Sequence, residues 1–149
     1  MAKFDPIWNE TDEFEGGYQA LVADSGNYCP SKGTSGSQLI GTNMGISAIG
    51  FAHYHGGKCP TVTQMKSLSP TLARKIAKEQ YWDVIQGDKI NSQALAHLIF
   101  DMRFGGQTGT LQVRQAINQI KGPGTVQEYT SNALTDNDIK LINSLPEKP

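Results

Sequence analysis

Apolar residues along this chain recur mainly at three- and four-residue intervals, the repeat of helices packed on one side. The first such stretch predicts a helix opening at Asp5-Pro6, with Asp5 as N-cap and Pro6 at the first helical position, where its missing N–H costs nothing. Gly16 is the expected left-handed stop. Ile7, Trp8, Thr11, Phe14 and Glu15 then share one face, and Asn9, Glu10 and Glu13 point away. Thr61 or Thr63 caps a short helix through Leu68, and Ser69-Pro70 opens the next. There Leu72, Ala73, Ile76, Ala77 and Tyr81 form the inner stripe, with Arg74, Lys75 and Lys78 outside. Asn91 or Ser92 starts a stretch to about Arg103. Its Ala94, Leu95, Leu98, Ile99 and Met102 line one face and Ala96 and Phe100 the opposite one. A helix apolar on nearly all sides reads as central and buried.

Leu111 to Lys121 follows, with Val113, Ala116, Ile117 and Ile120 inward and a stop at Gly122-Pro123. The last element opens at Thr135, where Thr135 and Asp138 resemble a capping box, and Ile139, Leu141, Ile142 and Leu145 give it an apolar side. Between Gly41 and Gly57 the pattern is short and punctuated by glycine, which fits small strands or a hairpin. The fold class is therefore mainly α with a strand region near 41–57.

Chemistry concentrates near the first helix. Glu15 is its one acid aimed at the core side, and burial against Trp8 and Phe14 would favour the protonated form. Asp24 follows on a polar loop, and Thr42 further on. A carboxyl able to donate a proton, with a second carboxylate nearby, suits glycosidic bond cleavage. Taken alone, a Glu in the last turn of a helix is as readily a solvated surface acid. The Gly16-Gly17 pair favours the catalytic reading, since a second glycine permits close approach of another segment.

Glu15-Gly16-Gly17-Tyr18, Asp24 and Thr42-Asn43-Met44-Gly45-Ile46 resemble the start of glycoside hydrolase family 108, the N-acetylmuramidases of phage endolysins. Tyr81-Trp82-Asp83 and Phe100-Asp101 are similar to the C-terminal region paired with it, often labelled peptidoglycan-binding. The resemblance runs from about Phe4 to about Ile120. It implies a lysozyme-like helical fold around a central helix, as one compact domain over 1–149. A catalytic half at about 4–85 and a helical half at about 86–149 would share one core. It implies Glu15 as general acid, with Asp24 and Thr42 as its partners in a glutamate-aspartate-threonine arrangement. Peptidoglycan glycan strands would be the substrate. Tyr18, Asn43, Tyr54 and Phe104 are the candidate substrate contacts; Trp82 is assigned to the core instead.

Two stretches depart from the family pattern. Asn27 to Ile40 replaces a compact glycine-rich turn and reads as a loop insertion bordering the glycan groove, with little role in stability. Gly105-Gly106-Gln107 stand where an asparagine-containing turn is usual. That second departure keeps open a catalytically inactive peptidoglycan-binding or structural phage or secretion protein, and a lytic transglycosylase is the third reading.

Composition narrows the partners. A net charge of −1 leaves no electrostatic footprint for nucleic acid. No apolar run approaches the roughly 20 residues of a membrane span. Met1 to Glu15 lacks the apolar stretch of a signal peptide, so the expectation is synthesis in a cytoplasm, release through a holin or secretion system, and action as a monomer in the periplasm or cell wall. His53, His55 and Cys59 offer zinc-ligand chemistry at a spacing that matches no strong zinc pattern. Alternation would put both histidines on one side of a strand, and two loop histidines near a cleft is the favoured reading. No metal and no cofactor are expected. Cys29 and Cys59 are either free thiols, the commoner state without a leader, or one disulfide. His97 and Asp101, one turn apart, can pair structurally.

Overall fold

Short polar side chains set most of the helix starts. In the computed structural model, which describes residues 1–14, 16–106 and 109–146, the chain is mainly α with two small antiparallel hairpins. The helices are α1 (Phe4–Phe14), α2 (Ala48–Tyr54), α3 (Val62–Lys66), α4 (Pro70–Ala77), α5 (Gln93–Phe104), α6 (Thr110–Lys121) and α7 (Asp136–Asn143). Ser47, Thr61, Ser69, Ser92 and Thr135 each accept a hydrogen bond from a backbone N–H of the helix they open. Thr61 with Gln64 and Thr135 with Asp138 complete capping boxes. Trp8–Gln80 form one compact unit, and Met1–Ile7 with Tyr81–Pro149 the other.

In the unit formed by Trp8–Gln80, β1 (Tyr28–Cys29) pairs with β2 (Gln38–Leu39), and β3 (Thr42–Asn43) with β4 (Ile46–Ser47). Met44 (φ 49°) and Gly45 (φ 75°) form the turn of the second hairpin, the left-handed pair a two-residue connection requires. Within the expected strand region 41–57 only Thr42–Ser47 forms a hairpin, and the other hairpin lies earlier, between Tyr28 and Leu39. Ala48–Tyr54 is helical, so His53 and His55 are not alternating strand residues: His53 lies in the last turn of α2 and His55 is its C-cap. Ile46, Ala48, Met65, Ala73, Ile76 and Ala77 are fully buried here.

The segment 27–40 is not a loose insertion. Asn27 is completely buried, Cys29 and Ile40 are nearly so, and the β1–β2 pairing closes the segment on itself. Cys29 is disulfide-bonded to Cys59, which resolves the cysteines as a cross-link and not as thiols. The exposed part is the tip between the strands, together with Gln38 of β2.

In the other unit, Trp82, Ile85, Ile90, Ala96, Ile99, Phe100 and Ile117 are fully buried. Phe4 packs on Trp82 and Phe100 with ring centroids 5.6 and 5.7 Å away, and Trp82 Nε1 donates to Asp88 Oδ1 at 2.8 Å. A Cβ on Gly87 would sit 2.3 Å from the Trp82 ring, so glycine is required there. His97 and Asp101 pair at 3.3 Å along α5.

Four details of helix reading are corrected. α1 starts at Phe4, so Asp5 and Pro6 lie inside the first turn and not at cap and first position; Pro6 is tolerated because those N–H groups have no intrahelical acceptor. Gly16 is not left-handed, and a Cβ on Gly16 or Gly17 would meet nothing within 4 Å among the described residues, so none of these approaches there. α5 is not buried all round: Ala96, Ile99 and Phe100 face the core, while Leu98 is 56% exposed. In α6 the buried face is Thr110, Val113, Arg114, Ile117 and Asn118, leaving Ala116 and Ile120 outside. Both slips have one cause. An apolar count along a helix does not say which face meets a neighbour, and polar residues with long-range partners can occupy the buried side.

Candidate active site

The backbone of Gln19 bridges to Thr42 in both directions, with N–H to carbonyl distances of 2.9 and 2.8 Å. This lays the segment after Gly17 alongside β3. Tyr18 then packs its ring against Gly41, whose φ of 115° and lack of a Cβ leave room: a Cβ there would lie 2.5 Å from Tyr18 Cε2. The Tyr18 hydroxyl donates to the Ile40 carbonyl, and Lys66 Nζ lies 5.3 Å from its ring centroid.

Asp24 caps a single 3-10 turn, Ser25–Asn27. Its Oδ1 accepts from the Gly26 N–H at 2.9 Å, and its Oδ2 from Gln19 Nε2 at 3.1 Å. Both carboxylate oxygens are thus held in place. Thr42 Oγ1 donates to Asn27 Oδ1 at 2.6 Å. Asn27 Nδ2 donates in turn to Gln19 Oε1 at 2.8 Å and to the Leu21 carbonyl at 3.0 Å, while the Asn27 carbonyl accepts from Ile40 and Gly41 N–H. Asp24 and Thr42 therefore belong to one hydrogen-bonded network, joined through Gln19 and Asn27.

Neither of those linking residues stands out in the sequence. Gln19 looks like any polar residue of a loop, and Asn27 like a turn former. The one available signal is the run of polar residues around Asp24, too common to single them out.

Glu15 lies outside the described residues, as do the Phe14 side chain and Gln107. Asn43 is buried, and its Nδ2 donates to the Met65 and Lys66 carbonyls at 2.8 and 3.3 Å, closing the end of α3. Tyr54, half-buried at the end of α2, is hydrogen-bonded to Lys75, and that bond is the main cause of the raised Lys75 pKa. Phe104 belongs to the other unit, where its ring packs on Tyr81 at 5.2 Å and on Phe100 at 5.3 Å. In that cluster burial pushes the Tyr81 hydroxyl up, against a smaller opposing effect of Arg103.

The zinc-like set is not assembled. Cys59 is tied to Cys29, and His55 Nδ1 lies 2.9 Å from the Phe51 carbonyl with its ring stacked on Phe51. Among the described residues no cluster of three or more His, Cys, Asp or Glu could hold a metal ion, and no helix is long and apolar enough to cross a membrane.

A mainly helical unit that fixes a carboxylate and a threonine hydroxyl on one polar network, just after a glutamate, has the make-up of a glycosidase centre. The sequence model of the family described as Glycosyl hydrolase 108 matches residues 8–106. The chain belongs to that family, and is a glycoside hydrolase with lysozyme-like activity toward peptidoglycan. A solved structure titled "Structure of Brucella abortus SagA" is similar over 95% of this chain and 69% of that one, with a TM-score of 0.67 and 20% identity. At that identity the likeness speaks for the fold alone, mainly α and lysozyme-like. No curated protein matches the chain.

Proposed function

We propose that the protein is an N-acetylmuramidase that cleaves the bond between N-acetylmuramic acid and N-acetylglucosamine. Glu15 protonates the glycosidic oxygen, while Asp24 and Thr42 stabilise the oxocarbenium-like transition state or position the attacking water. The observation that carries this reading is the shared network of Asp24 and Thr42, built within the matched residues 8–106. A preorganised carboxylate aids catalysis because it need not reorient as positive charge develops on the sugar.

Tyr18 and Tyr54 are the ring contacts we retain for the glycan. Asn43 is left out, since its amide already serves the end of α3. The Cys29–Cys59 disulfide supports action in an oxidising compartment, such as the periplasm or cell wall.

Mass spectrometry of products from purified peptidoglycan tests the proposal. A reducing muramic acid end is the expected outcome. An anhydro-muramic end would make the protein a lytic transglycosylase, and no product at all a binding module.

A further inference from the structure

We infer that Gln19 is a positioning residue for this reaction, one that acts through Asp24 and is dispensable for the fold. The inference rests on the reading of Asp24 as a catalytic carboxylate. Its basis is that the Gln19 side chain uses both ends of its amide on the site.

Gln19 Nε2 donates to Asp24 Oδ2 at 3.1 Å and also faces Asn27 Oδ1 at 3.3 Å. Gln19 Oε1 accepts from the Leu21 N–H at 2.9 Å and from Asn27 Nδ2 at 2.8 Å. The amide plane therefore sits between the carboxylate and the buried asparagine that holds Thr42. Asp24 Oδ1 is set by the backbone through Gly26, whereas Oδ2 is oriented by a side chain, Gln19. Without that donor the carboxylate keeps one anchor and can rotate about it. A carboxylate misplaced by a fraction of an ångström loses much of its value to a developing cation.

The fold does not depend on this amide. The pairing of this segment with β3 runs through the Gln19 backbone, which any side chain preserves. Asn27 keeps Leu21, Ile40, Gly41 and Thr42 as partners when the Gln19 side chain is gone.

The experiment is a double-mutant cycle on purified peptidoglycan, read as kcat, KM and melting temperature. Gln19→Ala should lower kcat about tenfold with KM within about twofold, and the same change in an Asp24→Asn background should cost less than about twofold. Gln19→Glu is the second variant. It keeps the length and the Oε1 acceptor but sets an oxygen against Asp24 Oδ2, so it should be at least as damaging as alanine while the melting temperature holds. Equal losses in both backgrounds would show that Gln19 does not act through Asp24 and overturn the inference. So would a Glu variant with unimpaired kcat. If Asp24→Asn alone turns over like wild type, the reading of Asp24 itself fails. If Asp24→Asn is impaired and Gln19→Ala is not, only the role of Gln19 fails.

Discussion

Thr42 and Asn27, fifteen residues apart in the chain, are joined by a 2.6 Å hydrogen bond from hydroxyl to side-chain amide oxygen. Asn27 is fully buried, and without that donor its Oδ1 keeps only the longer 3.3 Å bond from Gln19 Nε2. Thr42→Val should therefore destabilise the protein by about 1 kcal/mol, the usual net worth of one hydrogen bond where the acceptor keeps another donor. It should also lower turnover, through loss of the hydroxyl itself. Thr42→Ser keeps the donor and should restore both properties to near wild type. Thermal melts and turnover on purified cell walls check the pair. A valine variant with unchanged stability and rate would show the bond to be of no consequence.

Glu15→Gln removes the proton that the leaving group needs and keeps the side-chain shape. Lytic activity should fall by at least about a hundredfold, the low end of a general acid's contribution, with the melting temperature unchanged. Asp24→Asn should lower turnover by less if Asp24 acts electrostatically. Substantial lysis by the Gln variant would remove Glu15 from the mechanism.

How much of this was legible in the sequence depended on the range of the interactions concerned. Ser69-Pro70 and the Thr135–Asp138 pair declare helix starts through bonds spanning three residues, and both appear as expected. The stripe of Ile7, Trp8 and Thr11 also appears, because burial on one face imposes its period directly. Segment 27–40 misled for the opposite reason. Its composition is that of a loop, but its order comes from Cys59, thirty residues away from Cys29, and from partners on both sides of Asn27. Ala48–Tyr54, expected within a strand region, is helical: a short apolar run fits either form, and the Ser47 cap decides for the helix.

Arg114 and Asp138 make a second long-range relation hidden from the sequence. Both side chains are buried, with Nη2 to Oδ2 at 2.7 Å, and Arg114 also donates to the Tyr129 carbonyl at 2.7 Å. Burial alone would push the Asp138 carboxyl up. The hydrogen bonds from Arg114 and from the Thr135 N–H outweigh it and leave the pKa below its ordinary value. A depressed folded-state pKa means stability that is present above the unfolded value, near 3.9, and lost as pH falls through the folded one. Acid titration of the melting temperature should show wild type losing stability below about pH 4, with that loss reduced in Asp138→Asn. At neutral pH, Arg114→Met leaves a buried carboxylate unpaired and should cost about 3–5 kcal/mol. A methionine variant as stable as wild type would mean that the pair is relieved by solvent.

The Cys29–Cys59 bond ties β1 to the segment after α2 across a sequence separation of 30. Closing a loop of that length restricts the unfolded chain by about 3–4 kcal/mol in the chain-entropy account. Reduction, or paired Cys29→Ala and Cys59→Ala substitution, should lower the melting temperature by roughly 10 °C in a protein of this size. The effect on activity should be larger than on bulk structure, because Cys29 lies two residues after Asn27, and Asn27 holds Thr42. The exposed tip is a separate matter. Replacing Ser31 to Ser37 with a short glycine-serine bridge leaves Asn27, the disulfide and the pairing of Cys29 with Gln38 in place. That variant should melt within a few degrees of wild type and keep its turnover on simple glycan strands. The decisive comparison is between tip and base. If removing the tip destabilises the protein as much as breaking the disulfide does, then the order of this segment comes from its tip and not from its buried ends.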